Sequence, residues 1–157
     1  MGTRGIKIMM IQVPRTGITR DQIVPVINST GGWAAALTAP INLELSLWKK
    51  AIDQLLAWRK APKMDDCGDY PTREIVDSAI DFAHDQIDGE PARAPDSMVP
   101  SGAGRIAMEW NNENGTVILE FVELGTASYT KFDRKGKILE KHILKRNPTS
   151  RQLELRG

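Results

Sequence analysis

Cysteine and histidine are nearly missing from this chain of 157 residues: it has one Cys, two His and only a 6% share of aromatic residues. The single Cys67 excludes an intramolecular disulfide and any Cys-rich zinc site. It suits a reducing compartment, so a cytoplasmic location is expected. No apolar run approaches the roughly 20 residues that a membrane-spanning helix needs, so no membrane partner is expected. Ile6 to Val13 is apolar but short, carries Lys7 and lacks a cleavage site, which argues against a signal peptide. Thr30-Gly31-Gly32 lacks the Gly-Lys-Ser/Thr continuation of a phosphate loop, and no Gly-x-Ser-x-Gly nucleophile motif is present. Asp65, Asp66 and Asp69 crowd around Cys67, but their spacing is not that of a calcium loop and no closing Glu follows. Acidic surroundings also disfavour a reactive thiolate at Cys67. We therefore assign no catalytic residue, no metal and no cofactor from the sequence.

The net charge of +1 conceals an uneven distribution. Residues 64–99 carry ten Asp or Glu against two Arg, and residues 131–157 carry nine Lys or Arg against three acids. The simplest use of this asymmetry is internal, with an acidic helix lying near basic strands. A basic tail contacting phosphate is the sharper alternative.

Between these poles the pattern is an architecture. Ile106, Met108 and Trp110 alternate with Ala107 and Glu109, and Val117, Leu119 and Phe121 alternate with Ile118, Glu120 and Val122. Period-two alternation marks half-buried strands. Turn residues at Asn114-Gly115, Leu124-Gly125 and Asp133 to Gly136 divide the stretch into four strands, near 105–112, 116–123, 126–132 and 137–144. Those turns give a trial register. Trp110 falls opposite Leu119, Met108 opposite Phe121, and Val117 faces Phe132 on a core side. On the other side Glu109 faces Glu120, Glu120 faces Tyr129, and Tyr129 faces Lys141. The row of Glu109, Glu120, Tyr129 and Lys141 is then an outer face, readable as a solvated surface or as a paired-carboxylate site.

Two helices precede the strands. Ile41, Leu45, Trp48, Ile52 and Leu55 recur at helical spacing over 41–60, with Leu47 and Trp58 at the margin of the stripe as core or partner-facing residues. Ile75, Val76, Ala79, Ile80, Ala83 and Ile87 line a second helix from Pro71 to Asp88, stopped by Gly89. Its other face gathers Asp77, Asp81, His84, Asp85 and Asp88, which marks it as the candidate partner-binding surface, with His84 as a pH-sensitive point rather than a catalyst. The expected fold is α+β, two principal helices packed on one face of a roughly four-stranded antiparallel β-meander. Residues 1–40 are expected to be an N-terminal extension, with a strand from Gly5 to Val13 able to add to a sheet edge and a short helical turn after Thr19. Residues 41–146 form the core domain, and 147–157 a polar tail.

Two motifs carry a resemblance. Met64-Asp65-Asp66-Cys67-Gly68-Asp69 keeps the Asp and a Gly of a Trp-Asp-Gly-x-Gly-Ala loop. Pro100-Ser101-Gly102-Ala103-Gly104-Arg105-Ile106-Ala107-Met108-Glu109-Trp110 has the spacing of a Pro-Thr-Pro-x-Gly-Gly-Ile-x-Leu-Glu-Trp entry into a short meander. Over roughly residues 45–140 the chain resembles a family of small bacterial proteins with no established activity. That resemblance implies a bacterial α+β domain and transfers no catalytic residue.

The function expected from all this is a non-enzymatic protein-interaction or regulatory module of a small bacterial operon, adaptor-, immunity- or antitoxin-like, with another protein as partner or a homo-oligomer through an edge strand. Weak nucleic-acid binding by the basic strands and tail is the alternative. An enzyme built on Glu109 and Glu120 stands third.

Overall fold

The structure, a computed structural model, describes residues 7–10, 25–28, 38–61, 70–150 and 152–155. Asp65, Asp66, Cys67 and Asp69, the stretch Thr30 to Gly32, the start of the helical turn expected after Thr19, and Arg151 and Arg156 lie outside them.

The chain is α+β, with two helices packed against a six-stranded antiparallel sheet. The first helix, α1 (Thr38–Lys60), begins before the expected Ile41; Pro40 is tolerated in its first turn, where an N–H has no helical partner anyway. The second, α2 (Arg73–Ile87), is capped by the Thr72 side chain, which accepts a bond from the Ile75 N–H. A helix N-terminus leaves such donors orphaned, so the cap contributes about 1 kcal/mol. The Thr72 N–H donates to the carbonyl of Gly104. Gly104 has φ of 74°, and a Cβ there would meet Thr72 Cγ2 at 2.6 Å, so only glycine lets the loop approach the helix start.

Near the N-terminus, β1 (Lys7–Met10) pairs with β2 (Pro25–Asn28) in a separate two-stranded sheet rather than adding to the large sheet's edge. Residues 25–28 are thus strand where a helical turn was expected. The large sheet runs in order β3 (Ser97–Pro100), β4 (Ile106–Asn112), β5 (Gly115–Glu123), β6 (Thr126–Asp133), β7 (Ile138–Arg146) and β8 (Leu153–Leu155). The central four are the expected meander. The two outer strands arise where no strand was expected, β8 within the expected polar tail; at four and three residues they are too short to alternate visibly.

One face of this sheet is the core. Ile106, Met108 and Trp110 from β4, Val117, Leu119 and Phe121 from β5, and Ala127, Tyr129 and Leu144 beyond join Trp48, Leu55, Val76, Ala79, Phe82 and Ala83 of the helices. Phe82 bridges the layers edge-on, 5.5 Å from Phe121 and 6.1 Å from Trp48. Each such large side chain contributes roughly 1.5–3 kcal/mol by leaving water. Leu47 and Trp58 pack against this cluster, so the core reading holds for both.

The register differs from the trial one, for local reasons. The first hairpin closes on Glu113-Asn114, because the Asn112 carboxamide oxygen accepts from the N–H groups of Asn114 and Gly115. An Asx turn of this kind substitutes for the expected Asn-Gly turn. Trp110 therefore faces Val117, Met108 faces Leu119, and Glu109 faces Ile118 instead of Glu120. Between β5 and β6 the ladder passes from Glu123 opposite Thr126 to Phe121 opposite Ala127, leaving Val122 as a one-residue bulge. Because side chains alternate with period two, one extra residue turns the whole of β6 over. Tyr129 consequently lies opposite Leu119 on the core face, 1% exposed. Val117 faces Lys131, and Phe132 moves opposite Thr116. A second bulge at Leu139 places Tyr129 opposite His142 and Lys141 opposite Thr130.

Candidate functional site

The acidic face of α2 is engaged within the chain. Arg59 of α1 pairs with Asp77 at 2.7 Å. Arg146, near the end of β7, lies 3.8 Å from Asp81 and 3.6 Å from Asp85. The charge asymmetry of the sequence thus has an internal use, with a basic strand end set against an acidic helix. Asp81, His84, Asp85, Arg146, Asn147 and Pro148 line an open pocket of about 360 Å³. Burial pushes the Asp85 carboxyl above the usual carboxylate range. The Arg146 guanidinium works against that rise, Asp81 and Asp88 add to it, and His84 counters it. Asp81 and His84 are exposed to solvent, so this face is a charged surface partly balanced from below.

The row expected on the outer sheet face is dispersed. Tyr129 is a correction: the Val122 bulge turns it onto the helix side, where burial and the nearby Glu140 carboxylate push its phenol up to about 12. Its ring lies 6.0 Å from that of His142, tilted by 35°. Glu109 and Glu120 remain on the outer face without opposing one another. Glu109 accepts from the Ser97 hydroxyl at 2.8 Å. Glu120 accepts from the Ser101 hydroxyl at 2.8 Å and lies 3.9 Å from Arg105. Both carboxylates thus tie the β3 side of the sheet together. Lys141 is exposed, opposite Thr130.

A polar assembly around the buried Arg93 bonds the β4 backbone beyond β3, and nothing in the sequence pattern marks it. Beyond the reach of β3, the backbone of Asn111 would be bare. Instead its N–H donates to Asp96 Oδ2 at 2.7 Å, and its carbonyl accepts from Arg93 Nη2 at 3.0 Å. Arg93 also pairs with Asp96 at 2.7 Å and is 1% exposed. The segment carrying Arg93 is itself clamped. Trp48 Nε1 donates to the Ala92 carbonyl, Trp110 Nε1 donates to the Arg93 carbonyl, and the buried Glu44 carboxylate accepts from the Ala94 N–H at 2.6 Å. Buried indoles need acceptors; here both find them in one proline-flanked strap.

The β7 edge is different. Its short neighbour β8 pairs only with Leu144, Lys145 and Arg146. Among the described residues no strand covers the outer side of residues 138–143. Ile138, Leu139 and Ile143 are 52%, 53% and 44% exposed. Sequence reasoning credited edge strands with pairing capacity without finding which edge is open. That depends on how β8 lies along β7, which no periodicity in so short a stretch marks. The Asn147 carboxamide accepts from the Thr149 and Ser150 N–H groups and donates to Glu154, turning the chain back so that Leu153 to Leu155 pair with β7.

Fold and surfaces together define an α+β domain in which side chains bond the Asn111 backbone beyond β3, while among the described residues no strand lies beside β7 at 138–143. No helix of the described residues is long and apolar enough to cross a membrane, and no cluster of His, Cys, Asp or Glu suited to a metal occurs among them. Comparison with known proteins finds no matching family model, curated protein or solved structure.

Proposed function

We propose that this chain is a non-enzymatic protein-interaction module, a regulatory component of the adaptor, immunity or antitoxin kind encoded in a small bacterial operon. The observation that carries the reading is the stretch of β7 that no strand covers among the described residues, a row of main-chain donors and acceptors of the type that joins two chains through an added strand. The dispersal of Glu109, Glu120 and Tyr129 supports it from the other direction. An active site needs convergent polar groups, and here the two carboxylates are occupied by Ser97, Ser101 and Arg105 while the phenol lies on the opposite face. The acidic face of α2 is a second surface for a partner, with Asp81 the most accessible of the carboxylates that Arg146 balances.

Nucleic-acid binding is the second reading, favoured by the exposed Arg134, Lys135, Lys137 and Lys141. It loses its stacking platform with the burial of Tyr129. Affinity purification of the tagged chain from its host tests both. A stoichiometric protein partner supports the module. Nucleic acid that leaves with added salt supports the second reading, and a chain recovered alone contradicts both.

A further inference from the structure

We propose that the open side of β7 at residues 138–143 takes up an acidic peptide as an added antiparallel strand. The inference rests on the interaction-module reading and names the partner's chemistry and its place.

Geometry sets the length. The stretch lies between the turn after Asp133 and Leu144, where pairing with the described residues of β8 begins. Six strand residues span about 20 Å, enough for about three inward and three outward side chains of a guest strand.

Charge sets the partner. Glu140 is the single acid in β7, and it is engaged by Lys131 at 3.4 Å and His142 at 3.7 Å on the helix side. Lys141 on the outer face and Arg134, Lys135 and Lys137 in the adjoining turn are exposed. None of these four lies in an ion pair among the described residues. A guest strand at this edge therefore meets a positive field, and carboxylates on it lie within reach of several cations.

The same charges select against a second copy of this chain. Two β7 edges pairing about a two-fold axis perpendicular to the sheet must keep like faces opposite. The registers that use most of the stretch then set Glu140 against Glu140 or Lys141 against Lys141. Like charges directly opposed are unfavourable. The Leu139 bulge and the edge lysine also discourage apolar strands. An acidic strand turns the lysine from an obstacle into a contact. Ile138 and Ile143, both exposed on the outer face, give its aliphatic residues something to lie against.

The test is fluorescence anisotropy of the full chain with a labelled peptide of alternating Thr and Glu, about ten residues long. The controls are the Thr-Lys counterpart and two versions of the acidic peptide N-methylated on alternate residues, one set each. An added strand bonds its host through one set of amides only. We expect one N-methylated peptide to bind at least about ten-fold more weakly while the other binds nearly as the parent does, and the Thr-Lys peptide to bind at least about ten-fold more weakly. The double variant Lys137→Glu, Lys141→Glu should lose at least about ten-fold in affinity with its melting temperature unchanged, both residues being exposed. Equal binding of both N-methylated peptides, equal binding of the Thr-Lys peptide, absence of binding near millimolar concentration, dimerisation of the free chain through this edge, or tighter binding of a single-stranded oligonucleotide would each overturn the proposal. A host partner whose hydrogen-exchange footprint falls on α2 would leave the module reading standing and remove this one. The absence of any host partner would remove the reading beneath it.

Discussion

The two sides of the central four-stranded meander, β4 and β7, outrun their short outer neighbours and meet the same physical problem differently. At the β4 edge, a neighbouring strand covers four residues, and Arg93 and Asp96 bond the backbone of Asn111 beyond it. That seal is anchored to both helix and sheet by Trp48, Trp110 and Glu44. At the β7 edge the neighbour covers three residues, and the remainder of the strand carries exposed lysine, isoleucine and leucine. An unpaired strand edge is a template for other chains. Side chains close the Asn111 backbone beyond β3, whereas no described strand lies beside residues 138–143 of β7.

The contrast can be broken most severely at its anchor. Trp110→Ala removes a fully buried indole and its bond to the Arg93 carbonyl. It should lower stability by about 3–5 kcal/mol in denaturant unfolding; an unmoved midpoint would mean that Trp110 does not hold the seal. Asp96→Ala attacks the seal alone. It strips the Asn111 N–H and the buried Arg93 of a charged partner, for a loss of about 1.5–3 kcal/mol and faster exchange of the Asn111 amide.

Beneath the open edge, Tyr129 gives a pH signature. Its phenol is raised from the ordinary value near 10 to about 12 in the folded chain. Between those values the folded state holds a proton that the unfolded state has released, so stability is intact below about pH 10 and falls as pH rises toward 12. Tyr129→Phe should flatten that fall, and a fall of equal size in the variant would assign it elsewhere. The smallest effect belongs to the open edge itself. Lys141→Glu should change stability by no more than about 0.5 kcal/mol, as exposed substitutions do. A large loss there would show that the edge is structural after all.

Periodicity and turn chemistry carried the fold class, the two helices, the four central strands and the core role of Trp110, because those signals repeat over many residues. They could not carry the register. Val122 and Leu139 look like ordinary members of alternating strands, yet as bulges they reassign every facing pair beyond them, moving Tyr129 inward and separating it from Glu120 and Lys141. The strands β3 and β8 were hidden by brevity. Arg93 was hidden by chemistry: a charged residue between prolines gives no sign of burial until the acceptors for two indoles are counted. The acidic residues of α2 were legible as a group, and so was the internal use of their charge. That Arg146 would supply it was not, since this depends on the same shifted register.

Native-state hydrogen exchange on the free chain tests the central claim most directly, by comparing the Asn111 amide with the amides of residues 138–143. The account predicts a strongly protected Asn111, and alternate amides in 138–143 exchanging near the rate of open chain while their neighbours, bonded to β6, stay protected. Uniform protection across 138–143 would contradict it, because the edge would then already be covered.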